Sequence, residues 1–285
     1  MRTYLDCLPC FMNQIVRVGR MLELSEADCL ELLKEFAAQF DRIELDDPPP
    51  KTSIALYRMI ARRIGREDPF AEFKREHTAR ALALYPRLKE QVAAADDPLS
   101  LALRLAVAGN VIDFGVASEF DLEAEIERVV DHGAFGRWQE EALCRRLKAV
   151  DWLLYLGDNA GETVFDRIFI ETLVEKHVVK VKYAVRGGPI INDATLADAR
   201  AAGLESCAEL ISSGCPAPGT VLELCRPDFR KLFAAAPLIL SKGQGNFETL
   251  SETPAPLFFL LKAKCPVVAG HLQANLGELL LVARQ

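Results

Sequence analysis

Along the first hundred residues the apolar positions recur at the spacing of helix faces. Ser25-Glu26-Ala27-Asp28 reads as a helix start, and Leu30, Leu32, Leu33, Phe36, Ala37 and Phe40 follow it on one face. The run Asp46-Asp47-Pro48-Pro49-Pro50 breaks that pattern. A second helix is predicted over residues 52–64, with Ile54, Leu56, Tyr57, Ile60 and Ala61 inward. Asp68-Pro69 opens a long Ala/Leu-rich helix towards residue 95, and Asp96-Asp97-Pro98 starts another that runs to residue 108. From there short apolar runs alternate with helical stretches. Strands are predicted at residues 152–156, 178–185, 208–211, 238–240, 267–269 and 279–282, with helices over 161–175 and 194–202 among the segments between them. This alternation predicts an α/β fold: a mostly parallel sheet flanked by helices, preceded by a helical N-terminal region. The expected division is a helical region over residues 1–105 and an α/β core over 106–285.

Composition changes this picture little. The chain has 285 residues, half of them apolar and about a quarter charged, as in an ordinary globular protein. Its net charge of −7 argues against a general nucleic-acid binder, which needs a basic stripe. No apolar run approaches the ~20 residues that span a bilayer, and the first residues lack a signal-peptide core. The expectation is therefore a cytoplasmic protein with neither nucleic acid nor membrane as partner.

Four polar loops each follow an apolar run, and in open α/β sheets such loops gather at one edge. The first is Gly109-Asn110-Val111-Ile112-Asp113-Phe114-Gly115, which by itself reads as a turn with a capping aspartate. Its Asp-Phe-Gly tripeptide occurs in protein kinases, but the glycine-rich and catalytic loops of kinases are absent. The second, Gly157-Asp158-Asn159-Ala160-Gly161-Glu162, sets a carboxylate and an amide where a strand ends and a helix begins. The third runs from Arg186-Gly187-Gly188 to Asn192-Asp193. Asp193 suits an N-cap or a ligand, and Arg186 suits bidentate binding of phosphate or pairing with a nearby carboxylate. The fourth, Ser241-Lys242-Gly243-Gln244-Gly245-Asn246, offers a cation, an amide and two glycines whose backbone N–H groups can approach an anion. It matches neither a Walker loop nor a dinucleotide fingerprint.

Together the loops describe one chemistry. Asp158, Asn159 and Asp193 offer oxygen ligands to a divalent cation such as Mg²⁺, Mn²⁺, Co²⁺ or Ni²⁺. Lys242, Gly243, Gly245, Asn246 and Arg186 are candidates for holding a phosphoryl group. The metal would polarise that group and activate water, or Asp158 would attack phosphorus directly; the sequence leaves both routes open.

The segments "AGNVIDFG", "GDNAGETVFD", "RGGPIINDAT" and "SKGQGNFE", in this order, resemble the damage-control phosphatase family, long catalogued as domain of unknown function 89. The N-terminal "CLPCFMNQ" and the later "KCPVVA" are similar to its prokaryotic branch, and the likeness spans nearly the whole chain. The resemblance implies a metal-dependent phosphatase acting on small phosphorylated metabolites such as sugar phosphates, nucleotides or damaged cofactor derivatives. It implies Asp158, Asn159 and Asp193 as metal ligands, with Asn110, Lys242 and the glycines after it around the phosphate; Asp158 and Lys242 are the candidate catalytic residues. Glu162 and Asp113 would support them. The eukaryotic branch includes a protein described as an S-adenosylmethionine-dependent carboxyl methyltransferase, which supplies a second candidate activity. A non-catalytic metal- or metabolite-binding protein is the third.

The eight cysteines are irregularly spaced and read as mostly reduced. Cys7 and Cys10 have the spacing of a redox motif or of half a zinc site. The first lacks its usual strand-preceded context and the second lacks another CxxC. Cys29, Cys265 and His271 are the candidates for completing it in space; two thiols packed at a helix start is the alternative.

Overall fold

The computed structural model describes residues 1–109, 126, 135–177 and 179–284. Asn110 and Asp113 lie outside the described residues. The N-terminal helices form for local reasons. α1 (Cys7–Met21) is followed by α2 (Glu26–Ala37), whose start is capped by the Ser25 hydroxyl accepting the Asp28 N–H at 3.1 Å. α3 (Pro49–Ile64) begins on two prolines, where a missing N–H costs nothing, and ends at Gly65 in the left-handed region, φ 71°. α4 (Ala71–Ala94) carries Pro86 inside it, and α5 (Pro98–Ala108) is capped by Asp97.

These helices divide between two cores. Phe11, Ile15, Leu32, Phe36, Leu56 and Ile60 close α1, α2 and α3 around a core of their own. α4 and α5 instead send Ala81, Leu84, Leu88, Leu103 and Leu105 into the layer that covers the sheet.

The remaining elements are β1 (Phe135–Trp138), α6 (Glu140–Leu147), β2 (Trp152–Leu156), α7 (Glu162–Lys176), β3 (Lys180–Val185), α8 (Leu196–Ala201), β4 (Glu209–Ser212), α9 (Pro227–Ala235), β5 (Ile239–Lys242), α10 (Gln244–Leu250), β6 (Leu257–Lys262), α11 (Pro266–Leu272) and β7 (Leu279–Ala283). The strands form one sheet in the order β1-β7-β6-β5-β2-β3-β4. The pairs from β6 through β4 are parallel, the β6–β7 pair is antiparallel, and β1 pairs parallel to β7, so these two strands run opposite to the other five. Both faces are covered, which explains why the strands read as continuous apolar runs. In β2, Leu153 and Tyr155 face the layer of α4, α5 and α7, while Leu154 and Leu156 face the opposite layer of α9, α10 and α11.

The α/β class, the mostly parallel sheet and the helical N-terminal region are as expected. One predicted strand is not a strand: residues 267–269 lie in α11. Three apolar residues have no period of their own. The chain is set by its punctuation instead, with Cys265 as cap accepting the Val268 N–H at 3.5 Å and Pro266 at the first helical position. Two strands were not anticipated, β1 and β6. β6 is a fully apolar run, which pattern alone does not separate from a buried helix. No described helix is long and apolar enough to cross a membrane.

The chain's connections diverge between β2 and β5: β3 and β4 lie to one side and β6 to the other. Parallel sheets bind ligands in the crevice at such a switch point, beyond the carboxyl ends of the strands.

Candidate functional site

The second and third loops are joined by their backbones. Gly157 leaves β2 with its N–H on Ala184 C=O of β3 at 2.9 Å. The Ala194 N–H then donates to Asp158 C=O at 2.7 Å, and the Ala160 N–H to Asn192 C=O at 2.9 Å. Asn159 and Asp193 form an antiparallel bridge between them. Three of the predicted ligands, 35 residues apart at the extreme (193 minus 158), therefore share one short stretch of paired backbone. The third loop is also clamped from outside. Ile190 and Ile191 pack into the core of the N-terminal helices, and Ile191 is held at φ 45°. That region is costly for a β-branched residue, by about 1–3 kcal/mol, and packing must hold it there.

Arg186, at the end of β3, is buried among the acids. Its Nε donates to Asp193 Oδ2 at 2.6 Å, its Nη2 to Asp158 Oδ1 at 3.3 Å and its Nη1 to Asn246 Oδ1 at 3.3 Å. Of the two roles open in the sequence, the structure displays carboxylate pairing. Asn246 is likewise engaged: its amide nitrogen donates to Lys242 C=O at 2.8 Å and Gly157 C=O at 3.3 Å, and its oxygen also accepts from Thr220 Oγ1 at 2.8 Å. It ties the β5 turn to the end of β2.

Lys242 is fully buried, and its ammonium faces inward. The Nζ donates to Ala106 C=O and to Asp166 Oδ1, both at 2.6 Å, and lies 3.3 Å from Glu162 Oε2. Three donors meet three acceptors, so the ammonium is saturated by the protein. Asp166 also accepts from the Tyr155 and Tyr183 hydroxyls, each at 2.7 Å. Burial opposes the charge on Lys242, but Asp166 and Glu162 outweigh it and raise its pKa. Glu162 in turn accepts from Asn159 Nδ2 at 2.6 Å, and that nitrogen also reaches Asp158 Oδ2 at 3.3 Å. The amide of Asn159 is thus turned with its nitrogen on the acids and its oxygen left to act as a ligand.

Gly243 passes so close to Asp158 that a Cβ there would lie 2.0 Å from Oδ2, and its backbone sits at φ 82°, ψ 161°, a region only glycine occupies readily. At Gly245 a Cβ would meet Pro218 C=O at 2.1 Å. These glycines serve close backbone approach. Gly243→Ala is expected to cost about 1–3 kcal/mol from backbone strain, to push the Asp158 carboxylate aside and to lower turnover about 100-fold or more. Gly270→Ala, which would place its methyl in open space, is the control. Thermal melting and activity of the two variants would decide the point: equal behaviour would remove Gly243 from the site.

Four carboxylates (Asp158, Glu162, Asp166, Asp193) surround two cations (Arg186, Lys242), and four minus two leaves two negative charges when all are ionised. Burial, then the charges of Glu162 and Asp193, push Asp158 up to about 7. Burial also raises Asp193, although Arg186 opposes the shift. A divalent cation on oxygen ligands would balance this charge, and Asp158, Asn159 and Asp193 are hard donors of the right kind. Among the described residues no three His, Cys, Asp or Glu side chains make a ready cage; this set takes one ligand from an amide, and Arg186 bridges its two acids.

The sequence reading gave no role to Lys264, although it lies in the quoted "KCPVVA" segment. It follows β6 and is exposed, its backbone N–H donates to Gln244 Oε1 at 2.9 Å, and its charge acts on Asp158, opposing the upward shift. The signal was a lone lysine beyond an unrecognised strand. Asn110 and Asp113, as noted, lie outside the described residues.

The cysteines are free among the described residues. Cys29 packs in the α1–α2–α3 bundle against Gly19, and His271 Nε2 is 2.8 Å from the Tyr4 hydroxyl. Cys265 caps α11, close enough to Cys7 and Cys10 for the thiols to influence one another.

Known proteins resemble this chain over nearly its whole length. The family model described as "Damage-control phosphatase ARMT1-like domain" matches residues 3–280. A Pyrococcus horikoshii protein named a damage-control phosphatase is 36% identical over 98% of this chain and 97% of its own. One from Archaeoglobus fulgidus with the same name is 34% identical, with 96% of each chain covered. The crystal structure of a DUF89 family protein from Pyrococcus horikoshii, at 2.04 Å resolution, superposes over 100% of both chains with a TM-score of 0.92 at 34% identity.

Proposed function

This chain belongs to the damage-control phosphatase ARMT1-like domain family, and we propose that it is a phosphatase that hydrolyses small phosphorylated metabolites with a divalent cation. The observation that carries the metal-dependent part is the surplus of buried negative charge at the β2–β5 switch point. Asp158, Asn159 and Asp193 would hold the cation, with Mg²⁺, Mn²⁺, Co²⁺ and Ni²⁺ as the candidates. Bound there, a divalent ion supplies Lewis-acid polarisation of a phosphoryl oxygen.

The protein's own groups have separable tasks. Arg186 holds the two aspartates apart and in register through its fork of N–H donors. Glu162 orients the Asn159 amide, and Lys242, anchored by Asp166, pairs with Glu162 from the inner side. Lys264 is exposed, its charge reaches Asp158, and it is assigned to the phosphoryl oxygens, together with Asn110 by family likeness. Lys242 becomes a positioning residue. The relatives are named phosphatases, which favours hydrolysis over methyl transfer. Free cysteines accord with the reducing cytoplasm proposed as its location.

Phosphate release from p-nitrophenyl phosphate and a panel of sugar phosphates, with each metal and with EDTA, tests this. Release is expected with at least one metal, to fall to background with chelator and to return on adding the ion. Release that ignores chelation would refute the metal; saturable binding of a phosphoester without release under any metal would point to a binding protein.

A further inference from the structure

The loop between β4 and α9 reaches the site twice, although no motif in the sequence marks it. At its start the Ser213 N–H donates to Val185 C=O at 2.9 Å, and Cys215 C=O accepts the Gly187 N–H at 2.8 Å. These two bonds hold the backbone on either side of Arg186. Further on, the loop presses against the β5 turn: Pro218 and Gly219 pass so close to Gly245 that neither glycine has room for a Cβ. Thr220 follows at once. It is buried, its N–H donates to Thr249 Oγ1 at 3.2 Å, and its hydroxyl donates to Asn246 Oδ1 at 2.8 Å.

Asn246 passes this bond on. Its four hydrogen-bonding positions are all taken: Nδ2 donates to Lys242 C=O and Gly157 C=O, and Oδ1 accepts from Thr220 Oγ1 and Arg186 Nη1. Turned over, the amide would set Nδ2 against the guanidinium and Oδ1 against two carbonyl oxygens. Its oxygen is therefore fixed at one tip of the Arg186 fork. Of the two bonds that fix it, the one from Thr220 is the shorter, 2.8 Å against 3.3 Å.

The fork closes unequally on its acids. Nε lies 2.6 Å from Asp193 Oδ2, but Nη2 stands 3.3 Å from Asp158 Oδ1, beyond the ~2.7–2.9 Å of a fully formed charge-assisted bond. An acceptor at Nη1, outside the acid pair, opposes the pull of Asp158 on the guanidinium. A guanidinium swung fully onto both acids would occupy the oxygens that a divalent cation needs.

We propose that Thr220 is a positioning residue of the candidate metal centre: through Asn246 Oδ1 it holds Arg186 back from Asp158 and keeps that carboxylate open to the cation. The inference rests on the metal-dependent phosphatase reading above and deepens it.

Calorimetric titration of the EDTA-stripped protein with Mg²⁺, Mn²⁺, Co²⁺ and Ni²⁺, each without any ester present, tests this. The concentration of each metal that half-activates phosphate release from p-nitrophenyl phosphate is measured alongside. Thr220→Val keeps the shape of the side chain and removes the hydroxyl. It is expected to weaken binding of the activating metal about tenfold, the lower end of what groups behind a metal ligand contribute. The half-activating concentration should rise by the same factor, while KM for the ester at saturating metal moves less than about threefold. Thr220→Ser restores the hydroxyl and should bind the metal nearly as wild type does, which separates the hydrogen bond from packing of the methyl. Thr220→Ala, read against Thr220→Ser in the same way, replaces Thr220→Val if the latter melts below the assay temperature. Wild-type metal binding without the hydroxyl, or a loss in Thr220→Ser equal to that in Thr220→Val, would overturn the role of Thr220 and leave the phosphatase reading intact. A wild-type protein that binds none of the four metals and releases phosphate regardless of chelator would overturn both this role and the metal.

Discussion

Asp158→Asn is expected to lower phosphate release by about 10³-fold, on the order lost when a preorganised charge is removed from an active site, with the fold retained. The substitution is isosteric, and the neighbouring turn is held by backbone bonds that it does not touch. What disappears is one anion of the candidate metal set. The same carboxylate carries a pH signature. Its folded-state pKa is raised from 3.8 to about 7, so between those values the folded metal-free chain keeps a proton that the unfolded chain has released. Through this window the folded state binds more protons, and metal-free stability contributed by Asp158 falls as pH rises. Bound metal reverses the balance: it requires the ionised carboxylate, so metal affinity weakens as pH drops below about 7. Glu248, also pushed up to about 7 by burial, contributes the same sign of slope to both proteins and cancels in the difference between them. Melting curves of wild type and variant with EDTA at several pH values should therefore converge at low pH. At pH 8 the variant should be the more stable of the two. Wild-type turnover in Asp158→Asn, or a stability difference independent of pH, would remove Asp158 from the centre of the site.

Lys242→Met should act on the fold before it acts on binding. Removing one partner of a buried ion pair typically costs about 3–5 kcal/mol, because the other charge stays behind without compensation. Here the group left behind is Asp166, fully buried between two tyrosine hydroxyls. A fall in melting temperature of roughly 10 °C is expected on that scale. Adding Asp166→Asn should recover much of the stability, since the orphaned charge is gone. It should not recover activity, since Glu162 still lacks its cation. The opposite result, little change in melting with a large rise in KM, would restore the phosphate contact expected from the sequence.

The contrast between Asp158 and Lys242 shows how far the sequence was legible. Asp158, Asn159 and Asp193 stood out because each sits in a turn with its own local punctuation: a glycine after an apolar run, then the first residues of a helix. Lys242 read as a phosphate-binding lysine because it stands beside two glycines. The glycines are there instead because the backbone must pass Asp158 and Pro218 at close range. Lys264 escaped notice because the strand before it, β6, was not anticipated, and an isolated lysine after an unassigned segment has no address. The same gap turned α11 into a predicted strand.

The sequence by itself determined the fold class and the chemistry available at the strand ends, because strand, turn and helix starts are encoded within a few residues of where they occur. Tertiary structure decided which cation meets which acid. Lys242 finds Asp166 across 76 residues and Ala106 across 136, and Arg186 meets Asn246 across 60. Those meetings follow from the order in which parallel strands lie side by side, and from which layer each side chain enters. Neither is written in any local window of the chain, so the buried partners of the site emerge only once the sheet is assembled.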